Sequence, residues 1–194
     1  QVAEVLAPIA EYPEIQFSLK MRLGWENASE CMVLVELLNT LRLSRIALHA
    51  RTGKQQYKGH PDLEAFQGFY ELCQHPLYYN GGIESLSDIR QILTRFPLLK
   101  GVFIGRGLLS SPLLAKEFKG NETFLPEQRM SIYFAFHEEL FSAYSQVLQG
   151  ETQLLVKMKT LWEYFLPETD RKLLKRIKKS PRLQQYTESV KAIF

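Results

Sequence analysis

Leu98-Leu99-Lys100-Gly101-Val102-Phe103-Ile104-Gly105-Arg106-Gly107-Leu108-Leu109 is the stretch from which the fold can be read. Val102-Phe103-Ile104 is a short apolar run with a glycine at each end, the pattern of a strand buried on both faces. Gly105-Arg106-Gly107 reads as a turn. Ser111-Pro112 then reads as a helix start, with Ser111 as cap, Pro112 at the first helical position and the helix running to about residue 118. Glycines let backbone N–H groups approach an anion, and the planar fork of Arg106 matches phosphate oxygens. Glycines also end strands for steric reasons alone, leaving such an arginine merely solvated. The residues upstream decide between these readings.

Three more strand–helix units precede this one. Ile15-Gln16-Phe17-Ser18-Leu19-Lys20 alternates apolar and polar residues as a strand does, and an apolar helix follows over 30–41. Ile46-Ala47-Leu48 is a second strand ending at His49, followed by a polar loop and a helix over 62–72. Leu77-Tyr78-Tyr79 is a third, ending at Asn80-Gly81-Gly82. The next helix, 85–95, opens on Ser85 with Asp88 three residues on, a form of the capping box. A helix over 2–10 stops near Pro13. Strand–helix alternation means a parallel sheet, either doubly wound or a barrel, and in both ligands bind at the carboxyl ends of strands. Lys20, Arg22, His49, Arg51, Asn80 and Arg106 gather at those ends and should face one site. Two adjacent Gly-rich turns, at Asn80-Gly81-Gly82 and Gly105-Arg106-Gly107, point to a phosphorylated cofactor or substrate.

After Gly120 the pattern becomes helical, over 126–149, 153–165, 170–178 and 183–194. We therefore expect an α/β domain over 1–120 and an all-α helical bundle over 121–194. From Glu151 onward there are ten Lys/Arg against five Asp/Glu, whereas the whole chain carries only +3. A basic tail on a near-neutral body fits a polyanion partner. Arg171, Lys175 and Lys178 or Lys179 share one helical face, with Leu173, Leu174 and Ile177 turned inward. Lys157 and Lys159 flank Met158 just before Leu161-Trp162. The loop from Arg51 to Gly59 adds Lys54 and Tyr57, groups that can take phosphates and stack on a base.

At 194 residues and 45% hydrophobic, the chain can bury a real core. Its apolar runs are too short for a membrane span, and its first residues lack a signal-peptide pattern, so a cytoplasmic protein is expected. Cys31 and Cys73 read as reduced core thiols. His49, His60, His75 and His137 have no metal-ligand spacing. There is no Walker loop, nucleophile elbow or dinucleotide fingerprint.

Four motifs in order carry a family resemblance: Leu19-Lys20-Met21-Arg22-Leu23-Gly24, His49-Ala50-Arg51-Thr52 with Gln55 or Gln56 and Tyr57, Asn80-Gly81-Gly82-Ile83, and Ile104-Gly105-Arg106-Gly107. Order and spacing resemble the bacterial tRNA-dihydrouridine synthases, over nearly the whole chain. The resemblance implies the second half of a TIM (β/α)8 barrel, strands five to eight, followed by a helical tRNA-binding domain. It implies FMN as cofactor and NADPH as reductant, for reduction of the uridine 5,6-double bond in tRNA. Lys20 and His49 would then contact the flavin. Asn80, Gly81, Gly82, Gly105 and Arg106 would hold its phosphate and ribityl chain. Arg51, Tyr57 and Lys54, with Lys157, Lys159, Arg171 and Lys175, would meet tRNA.

Two departures stand out. Gly82 replaces the family's usual acidic residue. The Asn-x-Gly-Cys-Pro motif carrying the family's catalytic cysteine does not occur, so no catalytic residue is assigned here. The chain is then expected to be inactive alone, and its half-barrel to be open to self-association. A non-catalytic RNA-binding module and another FMN-dependent barrel oxidoreductase are the alternatives.

Overall fold

The computed structural model describes residues 2–194. In chain order the elements are α1 (Val2–Leu6), α2 (Pro8–Glu11), β1 (Phe17–Gly24), α3 (Glu30–Asn39), β2 (Leu43–Thr52), α4 (Leu63–Leu72), β3 (Leu77–Asn80), α5 (Leu86–Arg95) and β4 (Gly101–Phe103). Then come α6 (Arg106–Ser110), α7 (Leu114–Gly120), α8 (Pro126–Val147), α9 (Glu151–Leu161), α10 (Arg171–Lys179) and α11 (Leu183–Lys191). The chain forms two compact units, 1–104 and 105–194. The division falls at 104/105 and not at 120, because Leu113 buries itself in the helical core with Tyr133, Met158 and Trp162.

In the first unit four strands pair in parallel, in the order β1-β2-β3-β4. Spatial order follows chain order with no reversal. Side chains alternate across a strand, so the register decides what shares a face. One face carries Met21, Leu48, Tyr79 and Val102 in one row, and Leu19, Ile46 and Leu77 in another. Ile46 and Leu48 are fully buried, and Tyr79 meets Phe66 of α4 edge-on at 4.9 Å. Phe66 in turn meets Phe96, just after α5, at 5.0 Å. Each such side chain stabilises the fold by about 1.5–3 kcal/mol. The opposite face carries Lys20, Ala47 and Tyr78, then Arg22, His49, Asn80 and Phe103.

Ser85 caps α5 as expected: its Oγ accepts from the Asp88 N–H at 3.1 Å, and the Asp88 carboxylate accepts from the Ser85 N–H at 2.8 Å. Other expectations are corrected. β1 and β2 are eight and ten residues long, so Lys20 and His49 lie within strands and not at their ends. β4 pairs on one side only, which leaves Phe103 36% exposed instead of buried on both faces. Arg106 and Gly107 are the first residues of α6, so 105–107 is a helix start and not a turn. Ser111 opens no helix but ends α6 as its C-cap; its Oγ meets the Tyr133 hydroxyl at 2.7 Å, and α7 begins only at Leu114. The helix expected over 2–10 is two short ones, with Pro8 opening the second.

The second unit packs its helices around Met158, Trp162, Phe165, Ile177 and Tyr186, all at 1% exposure or less. Inside it lies a polar trio. The Trp162 indole N–H donates to the Tyr186 hydroxyl at 2.9 Å, and that hydroxyl lies 2.7 Å from His137 Nε2. The Glu138 carboxylate beside Nδ1 can only accept, so the neutral imidazole carries its proton on Nδ1 and Nε2 accepts from the Tyr186 hydroxyl. Nδ1–H then donates to Glu138 at 3.1 Å. Burial holds the His137 pKa below its ordinary 6.5 and outweighs the opposing pull of Glu138.

The unfolded chain therefore takes up this proton first. Its contribution to stability is complete above pH 6.5 and is lost as pH falls below that value. In urea unfolding at a series of pH values, His137→Gln should remove this part of the acid decline. Identical pH slopes in the two proteins would contradict the assignment.

Candidate functional site

The polar face of the sheet is the candidate site. Arg22, His49 and Asn80 form one register row across β1, β2 and β3. Adjacent strands lie about 4.8 Å apart, so the row spans roughly 10 Å. Lys20 lies one pleat earlier on the same face, exposed, with only Ala47 beside it in the ladder. Arg22 Nη1 donates to the Thr52 carbonyl at 2.7 Å, and Asn80 Nδ2 to the Phe103 carbonyl at 2.8 Å, which ties the row to its neighbours.

His49 is 8% exposed and lies against the next turn. A Cβ on Gly81 would fall 3.3 Å from its ring and 3.4 Å from the Tyr79 hydroxyl. Gly81 has φ +139° and Gly82 φ +59°, and a Cβ on Gly82 would sit 2.9 Å from Pro61. Both glycines are thus demanded by backbone conformation and by space. Burial pushes the Tyr79 phenol up to about 12, so it stands here as a neutral hydroxyl.

Between Arg22 and Gly24 the partner strand β2 advances three residues, from His49 to Thr52. This bulge re-aims the chain, as bulges beside sites do. Ala50 and Arg51 are both buried, and Arg51 Nη1 donates to the Lys58 carbonyl at 2.7 Å. Its Nε, also buried, has no hydrogen-bond partner. Tyr57 is 60% exposed, and Lys54 pairs with Glu26 at 2.5 Å.

The remaining sequence candidates lie in the second unit. Gly105 is the N-cap of α6 and Arg106 its first residue. Arg171 and Lys175 are exposed on α10 while Ile177 is buried, as the helical spacing requires. Lys157 lies 5.4 Å from the Tyr144 ring centroid. Lys159 donates to the Ser180 carbonyl at the end of α10, and Trp162 is core. Cys31 is buried in α3 with its thiol pushed up to about 11, and burial also raises Cys73, just after α4. Neither is a poised thiolate. Among the described residues no group of histidines, cysteines and carboxylates could hold a metal, and no helix is long and apolar enough to cross a membrane.

Sequence reasoning passes over Trp25. It directly follows β1 and is 65% exposed, and its indole lies on Gly53. The signal available was a tryptophan immediately after a strand's terminal glycine, in a chain with only two tryptophans.

Together these features define an α/β protein whose parallel sheet presents a cationic, imidazole-bearing face, joined to a helical unit with a basic helix. A model of the family described as Dihydrouridine synthase (Dus) matches residues 1–192, and the chain belongs to that family. It is 34% identical over 100 residues to a probable tRNA-dihydrouridine synthase of Rhizobium leguminosarum bv. phaseoli, covering 51% of this chain and 31% of the relative. It is 34% identical over 119 residues to one of Aquifex aeolicus (strain VF5), covering 61% and 36%. It is 30% identical over 105 residues to the tRNA-dihydrouridine(16) synthase of Haemophilus ducreyi, covering 54% and 32%. The matches span about a third of each of these relatives.

Two glycines test the geometry by opposite signs. Gly68 lies inside α4, where a Cβ would make ordinary contact with Met32 at 3.6 Å. Gly68→Ala should stabilise the protein by about 0.5–1 kcal/mol. Gly81→Ala should destabilise it by about 1–3 kcal/mol, through backbone strain and the approach to His49. Urea unfolding reads both; a neutral Gly81→Ala would contradict the described turn.

Proposed function

We propose that the chain is the C-terminal portion of a tRNA-dihydrouridine synthase. It supplies the last four strands of a flavin-binding (β/α)8 barrel, followed by a helical tRNA-binding unit. One observation carries the reading: Lys20, Arg22, His49 and Asn80 share the polar face of consecutive parallel strands. Strand order supports a barrel over a doubly wound sheet, since the latter reverses at its switch point and this one does not. A polar face opposite the helices is what a barrel mouth requires.

The residues fit a flavin nucleotide. Gly81 and Gly82 expose backbone in a conformation closed to other residues. Lys20 supplies a positive charge and His49 a ring nitrogen. Arg51 keeps a buried Nε–H that the chain itself leaves unpaired. At Gly105 a Cβ would meet nothing within 4 Å, so the chain's own packing does not ask for a glycine there. Within the first unit Lys20, His49, Asn80, Gly81 and Gly82 would hold FMN, while a part for Gly105 and Arg106 is what the family resemblance implies. Bound there, FMN would supply the hydride chemistry for uridine in tRNA, with NADPH as the reductant.

This chain's own part is to bind and orient. The charge of Lys20 would favour the electron-rich form of a bound ring, and Asn80, bonded to the Phe103 carbonyl, keeps the third strand's polar end in place. The exposed cations of α10, Arg171 and Lys175 among them, would neutralise tRNA phosphates. Tyr57, Lys54 and Lys157 would add contacts, the buried Arg51 would act through the loop it holds at Lys58, and Lys159 supports α10 through Ser180. The family's catalytic cysteine would lie in the portion of the relatives that this chain does not span. The single-sided pairing of β1 and β4 favours self-association or completion by that portion. The basic helix is also what an RNA-binding module acting without a flavin would use.

Flavin titration separates the readings. The chain should bind FMN, with Lys20→Ala and His49→Ala each weakening it about tenfold or more, the loss expected for a charge-assisted hydrogen bond. It should form no dihydrouridine alone with FMN, NADPH and unmodified tRNA. Flavin affinity indifferent to both substitutions, or turnover by this chain, would overturn the proposal.

A further inference from the structure

We propose that Trp25 is a stacking platform for an unpaired base of the bound RNA, an inference that rests on the tRNA reading above. An indole 65% exposed is held out of the core by its surroundings, while the other tryptophan, Trp162, is 1% exposed. The turn that carries it is built around one carboxylate. Glu30 accepts from the backbone N–H groups of Trp25, Glu26 and Asn27 at 2.8, 3.0 and 2.7 Å. These bonds favour the ionised form and lower the Glu30 pKa. The turn is also tied to the loop after β2: Gly53 N–H donates to the Gly24 carbonyl at 2.8 Å, and Lys54 N–H to the Trp25 carbonyl at 2.9 Å.

Both glycines are required by this arrangement. A Cβ on Gly53 would fall 2.3 Å from the indole, and one on Gly24 would fall 2.2 Å from the Asn27 carbonyl oxygen. The indole therefore packs directly on Gly53, yet the residue stays 65% exposed. A rigid aromatic face presented this way costs little conformational entropy when a second ring stacks on it.

The neighbours select a nucleobase over an apolar peptide. Trp25 shares a hollow with Arg22, Gly24, Gly53 and Gln56, and none of these is aliphatic. Tyr57, 60% exposed, stands on the same loop as Gln56. Of the two nearby acidic groups, Glu26 is ion-paired with Lys54, and the Glu30 carboxylate is bonded to three backbone N–H groups of its own turn. A cation, an amide and an exposed aromatic ring are the elements from which single-stranded RNA sites are made. The hollow adjoins the Arg22 end of the polar row, so the base recognised is the target uridine or a nucleotide beside it.

The test uses the full chain with an unmodified tRNA transcript and with oligouridylate. Both should quench the red-shifted emission of Trp25 and leave that of Trp162 unchanged. By filter retention of tRNA, Trp25→Ala should weaken binding about 10–100-fold, the loss of one stacked base, while Trp25→Phe keeps most of the affinity. Retained tRNA with unchanged Trp25 emission, and Trp25→Ala within twofold of the parent, would sink the platform and leave the tRNA reading standing. A Trp25→Phe loss as large as that of Trp25→Ala would also sink it. No tRNA retention by any variant would sink both.

Discussion

The pleat of four parallel strands is the constraint on which the rest of the first unit depends. Because side chains alternate, burying Ile46, Leu48, Tyr79 and their neighbours beneath the helices forces Lys20, Arg22, His49 and Asn80 onto the other face. The polar face is thus not a separate achievement of the sequence. A slip of one residue in any strand would expose the apolar row and bury the cations, and the aromatic contacts from Tyr79 through Phe66 to Phe96 make such a slip costly. Apolar packing on one side of the sheet sets the positions of the chemistry on the other.

Glycines and carboxylates then refine what the pleat establishes. The β2 bulge after His49 re-aims Arg51 toward the Lys58 carbonyl, and the left-handed turn at Gly81 and Gly82 brings backbone against the imidazole. Glu30 performs a similar service for Trp25, by gathering three backbone donors at the end of β1. In the helical unit the same logic appears as a buried polar trio and as Lys159 supporting the end of α10. These groups hold elements in place so that others, exposed on α10, stay free to meet solvent or a polyanion.

Much of this was legible in the chain. Alternating strand and helix patterns gave the parallel α/β unit, Ser85 with Asp88 gave the start of α5, and the run from Arg171 to Lys179 gave a basic helix with its apolar side inward. Strand lengths were not legible, because Arg45 and Thr52 are polar residues placed by ladder pairing, and Ser44 sits at a register shift with its Oγ donating to the Phe17 carbonyl. Val102-Phe103-Ile104 read as doubly buried because apolar content cannot distinguish a central strand from an edge. Ser111 read as a cap because its partner, Tyr133, is 22 residues away and invisible to local rules. For the site, the residue types Lys20, His49 and Asn80 were visible, but the single row joining Arg22, His49 and Asn80 is a fact of register. Trp25 was missed because an exposed tryptophan leaves no periodic trace.

The central claim is that a flavin nucleotide lies on the polar face of this sheet. Backbone amide shifts of the isotope-labelled chain during addition of FMN test it most directly. The account predicts saturable shifts at His49, Asn80, Gly81 and Gly82, with smaller changes at Lys20 and none in α9 or α11. Shifts confined to the helical unit, or no shifts at millimolar FMN, would contradict it.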